Sequence, residues 1–122
     1  MNYKMVKIVN SNNFKMVGDK IKVADSFVKR FKGLMLSNEL KDGEGMLIKP
    51  CNSIHMMFMK YAIDAIFLDS ENRVKAIYEN LKPWTGITKI HSDVKSVLEL
   101  KSGSAKQSGI STGNILTVEE TV

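Results

Sequence analysis

The stretch that decides the fold is residues 63–79, which read IDAIFLDSENRVKAIYE. Its first six residues are apolar except for Asp64, which is typical of a strand buried on both faces, or of one whose second face lines a cavity. A polar turn follows, in which Asn72 is suited to a positive φ. Residues 73–79 then alternate between apolar and charged side chains. The stretch therefore predicts a buried strand and a half-exposed strand, joined as an antiparallel hairpin.

Outward from this hairpin, further short strands are predicted on both sides. They cover residues 3–9, 14–17, 20–23, 45–48, 54–61, 96–101 and 114–118. Gly18-Asp19 is interpreted as the turn of another hairpin. Two short helices complete the set. The predicted fold is mainly β: a single domain over residues 1–122, built as an antiparallel β-sandwich or distorted barrel with two short helices.

The first helix has an amphipathic pattern. It is predicted to begin after Asp25-Ser26, whose side-chain oxygens can cap it, and to end at Gly33. Its apolar residues recur at helical spacing: Phe27, Val28, Phe31 and Leu34. Its basic residues lie on the other side: Lys29, Arg30 and Lys32. This is the pattern of a surface helix that packs by its apolar side. The second helix is predicted over residues 104–108.

Composition places the chain among ordinary globular proteins. Of its 122 residues, 43% are hydrophobic and 25% are charged, which argues against disorder. Cys51 is the only cysteine, so neither an intrachain disulfide nor a multi-cysteine metal site can form. No apolar run approaches the roughly 20 residues that span a bilayer, and the first residues lack the apolar core of a signal peptide. We therefore expect a cytoplasmic protein without a membrane span and without a cofactor.

The net charge of +5 raises the question of nucleic-acid binding. The lysines are scattered along the chain, and only residues 29–32 resemble a basic patch. No zinc finger, helix-turn-helix or RNA-recognition signature accompanies them. The sequence therefore disfavours a nucleic-acid partner, and weak binding through the basic surface stands as a second alternative function.

The candidate site centres on residues 50–64, PCNSIHMMFMKYAID. This run is largely apolar, yet it contains His55, Lys60 and Asp64. Polar groups that are buried without partners cost free energy. Glu99 has the same problem, because it also lies in an apolar strand. Two interpretations are open: an internal hydrogen-bonded network, or side chains that point into a pocket.

Several short motifs follow one another in a fixed order. They are KGLM (residues 32–35), GML (45–47), PCNSIHMMFMK (50–60), ID (63–64), IFLD (66–69), LKPW (81–84), VLEL (97–100), GSA (103–105), GI (109–110) and GN (113–114). In this order they resemble the domain-of-unknown-function 192 family of small bacterial and archaeal proteins, in its branch with Pro-Cys-x-Ser-Ile-His. The resemblance covers roughly residues 20–118. It implies a β-rich, sandwich-like single domain, and it implies no activity.

The leading functional hypothesis is a non-catalytic binding or accessory module for a small anionic ligand or a protein partner. Its site would be a small groove bounded by His55, Met57, Met59, Lys60, Asp64, Trp84 and Glu99. Lys60 would neutralise an anionic group of the ligand. Met57 and Met59 would supply apolar contact. We assign no catalytic residue and no metal ligand.

The rival hypothesis is a small hydrolase or transferase. In it, His55 is the base, Asp64 orients the base and Cys51 is the nucleophile, so the sulfur must lie within hydrogen-bond reach of an imidazole. A metal site of Cys51, His55 and His91 is disfavoured. In an extended strand, Cys51 and His55 would lie about 13 Å apart, whereas ligands bind one ion at about 2 Å.

Overall fold

Seven strands and two short helices form the fold, which a computed structural model describes for residues 2–121. The strands are β1 (Lys4–Asn10), β2 (Met16–Ala24), β3 (Glu44–Ile48), β4 (Ile63–Leu68), β5 (Val74–Leu81), β6 (Ser96–Lys101) and β7 (Leu116–Glu120). Helix α1 (Phe27–Lys32) lies between β2 and β3, and helix α2 (Ser104–Gln107) lies between β6 and β7.

The strands form one curled sheet in the order β5-β4-β6-β3-β2-β1-β7, with the shape of a half-barrel. The predicted mainly-β class with two short helices is confirmed. The pair β2–β3 is parallel, and the other neighbouring strands are antiparallel. The sheet is therefore mixed. Helix α1 and the residues after it form the crossover connection that a parallel pair requires.

The two faces of the central strands pack against two separate hydrophobic layers. From β4 and β6, the first layer receives Ile66, Leu68, Leu98 and Leu100. The second layer receives Ile63, Ala65, Phe67 and Val97. Every residue of β4 is buried, which accounts for its nearly continuous apolar sequence. The predicted hairpin is confirmed, with Asn72 at a φ of 61° in its turn.

Segments outside the strands cover the second layer. They contribute Leu34, Leu40, Ile54, Met56, Met59, Tyr61 and Val94. The prediction of a methionine-rich strand over residues 54–61 is wrong, because this segment forms turns and one isolated bridge between His55 and Ile87. Phe58 has a φ of 65°, which interrupts an extended backbone. The segment covers the sheet instead of joining it.

The predicted hairpin at Gly18-Asp19 is also wrong. Strand β2 continues through both residues, and its register against β1 shifts between the pairs Val6–Ile21 and Ile8–Gly18. Glycine inside a strand often marks such a bulge.

Helix α1 begins and ends where the sequence predicts but packs differently. The Oγ atom of Ser26 accepts a hydrogen bond from the backbone N–H of Lys29 at 3.3 Å, and Gly33 ends the helix. No residue of α1 is buried, and its apolar side faces water. The exposed fractions are 74% for Phe27, 60% for Val28 and 73% for Phe31. The expectation that the apolar side packs on the protein is therefore wrong for these three residues, whereas Leu34, just after the helix, is buried in the second layer.

Close contact between β3 and β6 at Gly45 gives a first prediction. A β-carbon on Gly45 would lie 2.6 Å from the backbone oxygen of Glu99, which cannot move aside as a side chain can. We expect Gly45→Ala to lower the free energy of unfolding by about 2 to 3 kcal/mol. Urea denaturation measures this loss in the free energy of unfolding. Gly113→Ala is the control: it meets nothing within 4 Å, and its φ of 91° should cost only about 1 kcal/mol. Equal losses would contradict the steric argument.

Candidate functional site

A pocket opens between α1 and residues 50–59, on the side of the sheet that carries the second hydrophobic layer. Its volume is about 250 Å³. It is lined by Phe27, Arg30, Phe31, Lys32, Gly33, Leu34, Met35, Ile48, Pro50, Cys51, Ser53, Ile54, His55, Met59 and Glu99. We call it the Glu99 pocket.

Glu99 is the buried acid of this pocket. It lies on β6, paired with Met46 of β3 and Ala65 of β4, and is only 5% exposed. Its Oε1 atom has no hydrogen-bond partner among the described residues. Burial away from water raises the pKa of the Glu99 carboxyl to about 7. The pocket wall therefore contains an acid with a free oxygen that titrates near neutral pH.

Arg30 places a cationic group in the same wall. Its Nη1 atom donates to the backbone oxygen of Pro50 at 3.4 Å, while its Nε atom is buried and has no partner within residues 2–121. The four ion pairs of the described chain do not include Arg30 or Glu99. The pocket wall thus contains a buried donor and a buried acceptor that have no partner among the described residues, and native structures seldom leave such groups unpaired.

Cys51 lies in the pocket as a neutral thiol. Its Sγ atom donates to the backbone oxygen of Ser53 at 3.2 Å, so its hydrogen bond goes to a carbonyl and not to an imidazole. Burial raises the pKa of the Cys51 thiol. Because the thiolate is the reactive form, this environment makes Cys51 a poor nucleophile.

The two histidines occupy separate environments. His55 lines the pocket at an exposed position, and its Nδ1 atom accepts a hydrogen bond from the backbone N–H of Met57 at 3.3 Å. The Nε2 atom of His91 is hydrogen-bonded to the hydroxyl of Tyr78 at 2.8 Å. The His91 ring also packs on Phe67, with ring centres 4.7 Å apart. In the part of the chain that the structure describes, no group of three His, Cys, Asp or Glu residues could hold a metal ion.

Asp64 lies on the opposite face of the sheet from Glu99. In the pairing of β4 with β6, Asp64 is opposite Leu100, whereas Glu99 is opposite Ala65. Because successive side chains of a strand point to opposite faces, the two acids face different layers. The sheet itself separates them, so they do not share an environment.

The Asp64 carboxylate is fully buried and binds only backbone amides. Its Oδ1 atom accepts from Asn80 at 2.9 Å. Its Oδ2 atom accepts from Gly103 and Ala105, both at 3.0 Å. The carboxylate thereby ties the end of β5 to the first turn of α2. These hydrogen bonds give Asp64 a structural role, and the sheet separates it from His55 on the pocket side.

The structure brings together three of the seven predicted site residues: His55, Met59 and Glu99 all line the pocket. The other four do not line it. Asp64 lies on the other face of the sheet, and Lys60 is exposed at the surface. Met57 and Trp84 are exposed by 51% and 55%, and the Trp84 ring contacts Phe58 with ring centres 5.2 Å apart.

The sequence pattern of α1 does not predict its contribution to the pocket. The pattern places Arg30 on the side of the helix opposite the apolar residues, yet it is half-buried in the wall. One signal was present: Arg30 is one of only two arginines in a chain whose other basic residues, histidine aside, are lysines. Arginine is the cation better suited to buried, directional hydrogen bonds.

Comparison with known sequences now identifies the family. The sequence model of the DUF192 family, described as Uncharacterized ACR, matches residues 7–118. The chain belongs to the DUF192 family. The resemblance inferred from the ordered motifs is thereby confirmed.

Curated relatives of this DUF192 chain are called UPF0127 proteins. The one from Thermococcus gammatolerans is 30% identical over 118 residues, which cover 93% of this chain and 76% of that protein. The one from Thermococcus sibiricus is 38% identical over 82 residues, which cover 63% of this chain and 52% of that protein. The chain therefore matches only about half the length of the Thermococcus sibiricus protein.

Two crystal structures share the fold of this DUF192 chain. One, from Sinorhizobium meliloti and named a "putative transcription regulator", has a TM-score of 0.82 and 25% identity, covering 97% of this chain and 96% of that chain. The other is a protein of unknown function from Novosphingobium aromaticivorans, with a TM-score of 0.79 and 25% identity. The match covers 93% of this chain and 83% of that chain. Both similarities concern the fold. Within residues 2–121 of this chain, no helix is long and apolar enough to cross a membrane.

Proposed function

We propose that this DUF192 chain is a non-catalytic binding module whose ligand occupies the Glu99 pocket. The observation that carries the proposal is the Oε1 atom of Glu99, which is buried without a hydrogen-bond partner among the described residues. Leaving such a group unsatisfied costs about 1 to 3 kcal/mol. A ligand that donates a hydrogen bond to Oε1 recovers this free energy on binding.

The pocket favours a ligand with a donor, an acceptor and an apolar body. An ammonium group would pair with Glu99, and a carboxylate would accept from the Nε atom of Arg30. Ile54 and Met59 supply apolar wall. The volume of about 250 Å³ is slightly below the roughly 300 to 1,000 Å³ usual for drug-sized ligands, which favours a ligand of the size of a free amino acid. In this proposal Arg30 takes the role that the sequence suggested for Lys60.

The geometry gives the hydrolase or transferase alternative little support. That alternative needs Cys51, His55 and Asp64 to act on one another. Asp64 lies on the other face of the sheet, and the Cys51 thiol donates its hydrogen bond to the backbone carbonyl of Ser53. The raised pKa of Cys51 also keeps the sulfur protonated at neutral pH.

A matched series of ligands tests the binding proposal. The probes are L-norleucine, which has both charged groups, pentylamine, which lacks the carboxylate, and hexanoate, which lacks the ammonium. We expect norleucine to shift the backbone amide NMR signals of Cys51, Ser53 and His55. It should bind about tenfold more tightly than either single-charge probe, because each lost charge-assisted hydrogen bond weakens binding by at least this factor.

Variants assign the two ends of the ligand. Glu99→Gln should lower the affinity for norleucine and pentylamine and leave the affinity for hexanoate unchanged. Glu79→Gln, at an exposed position of β5, is the control and should change none of the three. If none of the probes shifts the pocket amides, or if Glu79→Gln has the same effect as Glu99→Gln, the proposal is contradicted.

A further inference from the structure

Three segments form one exposed surface around the pocket: residues 26–37, 49–62 and 81–92. Backbone hydrogen bonds connect them. The N–H of Leu36 donates to the oxygen of Phe58 at 2.9 Å, and the N–H of Met56 donates to the oxygen of Gly86 at 2.9 Å. We call this surface the loop face.

The loop face concentrates the exposed apolar side chains of the protein. Of the twelve large hydrophobic side chains exposed within residues 2–121, nine belong to these three segments. Phe27, Phe31, Ile87 and Ile90 are each between 72% and 74% exposed. Scattered apolar residues are normal on a surface, but a concentration of them marks an interaction site.

Charge is segregated in the same way. The three segments contain seven of the 18 lysines and arginines of the chain and none of its 13 aspartates and glutamates. Six of the seven cations are lysines. The four ion pairs in the described part of the chain all use lysines outside the loop face. Its positive charge is therefore available to an anionic partner.

The backbone holds several of these apolar side chains in strained conformations. Leu36, Phe58 and Trp84 have φ values of 58°, 65° and 69°, a region that bulky residues rarely adopt. Such strain persists only where the surrounding structure maintains it, and it is frequent at functional sites. Here it keeps three large apolar side chains at the surface.

We propose that the loop face docks on the surface of an anionic lipid bilayer. The aromatic and aliphatic side chains would enter the headgroup region, and the surrounding lysines would contact anionic headgroups. Phe27, Val28 and Phe31 of α1 fit this role, since each is at least 60% exposed. Protein interfaces are depleted in lysine, so the lysine-rich composition favours a lipid surface over a protein partner. The proposal goes beyond pocket binding and does not depend on it.

Trp84 gives a direct test, because it is the only tryptophan of the chain and lies on the loop face. The full chain is mixed with vesicles of pure phosphatidylglycerol, which are anionic, or of pure phosphatidylcholine, which are zwitterionic. We expect a blue shift of the Trp84 emission and co-sedimentation with the anionic vesicles, and at least tenfold weaker binding to the zwitterionic ones. Added salt should weaken the anionic binding.

Apolar variants test whether the loop face makes the contact. Phe31→Ser combined with Ile87→Ser should lower the affinity for phosphatidylglycerol vesicles by about tenfold or more. Phe14→Ser is the control, because Phe14 is 85% exposed but lies in the β1–β2 turn. Thermal unfolding of each variant verifies that it is folded. An equal loss from Phe14→Ser would overturn the proposal.

Charge variants separate a local contact from an effect of net charge. Lys60→Glu with Lys82→Glu should reduce anionic-vesicle affinity by about tenfold or more. Lys15→Glu with Lys106→Glu changes the net charge equally at exposed positions outside the loop face and should have a clearly smaller effect. Three results would each overturn the proposal that the loop face docks on a bilayer. They are equal effects of the two lysine pairs, absence of binding to phosphatidylglycerol vesicles, and binding to a DNA duplex without binding to vesicles. Amino-acid binding in the pocket is measured separately by NMR, so either proposal can fail alone.

Discussion

Asp64→Ala should lower the free energy of unfolding by about 4 kcal/mol or more, because it removes the acceptor of three backbone amides from a buried site. The amides of Asn80, Gly103 and Ala105 would have no replacement. Asp64→Asn retains one carbonyl oxygen but brings an NH₂ group against amide donors. We expect it to cost roughly half as much as alanine. Urea denaturation of the wild-type and variant chains measures both losses.

Asp69→Ala is the matched control for this prediction. The Asp69 Oδ1 atom accepts from the backbone N–H groups of Glu71 and Arg73, both at 2.9 Å, in the β4–β5 turn. These hydrogen bonds hold the pKa of the Asp69 carboxyl below its ordinary value. Water can replace them in this turn, so the loss should be only about 1 kcal/mol. If Asp64→Ala costs no more than Asp69→Ala, the structural role of Asp64 is contradicted.

Glu99→Gln should stabilise the protein at alkaline pH. Burial raises the pKa of the Glu99 carboxyl from its ordinary 4.5 to about 7, so the folded chain retains a proton that the unfolded chain releases. Wild-type stability should therefore fall as the pH rises from about 4.5 to about 7, and this contribution should be constant above that range. Glutamine stays neutral and removes this loss. At about pH 8 the variant should be more stable by roughly 3 kcal/mol, and the difference should vanish towards pH 4.

Urea denaturation across this pH range tests the prediction. Glu79→Gln, at an exposed position, serves as the control and should follow the wild-type curve. Parallel stability curves for wild type and Glu99→Gln would show that Glu99 has no raised pKa. A variant that is more stable but binds norleucine poorly would indicate that the acid is retained for binding at the expense of stability.

The sequence predicted the elements whose local pattern matches their final environment. Residues 63–68 are apolar because both faces of β4 are covered, and residues 73–79 alternate because β5 is half-exposed. Residues 54–61 are equally apolar but cover the sheet instead of entering it. Local composition does not distinguish these two cases. The distinction arises from the backbone hydrogen bonds that Met56 forms with Trp84 and Gly86, two residues remote in sequence.

The site was harder to predict, because it depends on strand register and on the packing direction of a helix. The alternation of side chains along a strand shows which residues share a face with Asp64 in β4 and which share a face with Glu99 in β6. The register that places Asp64 opposite Leu100 could not be read from the sequence, and a shift by one residue would place Asp64 directly opposite Glu99. Similarly, the pattern of α1 separates an apolar side from a basic side. It does not reveal that Arg30 lines a pocket while Val28 remains mostly in water.

Our interpretation depends on Glu99 being a buried acid that lies in the pocket and whose Oε1 atom has no hydrogen-bond partner among residues 2–121. Its most direct test is the side-chain carboxyl ¹³C NMR signal of Glu99, followed against pH and assigned by its absence from the spectrum of Glu99→Gln. We expect a titration midpoint at about 7 in the ligand-free protein. A midpoint at or below the ordinary 4.5 would contradict it, because the carboxyl would then be solvated or already paired.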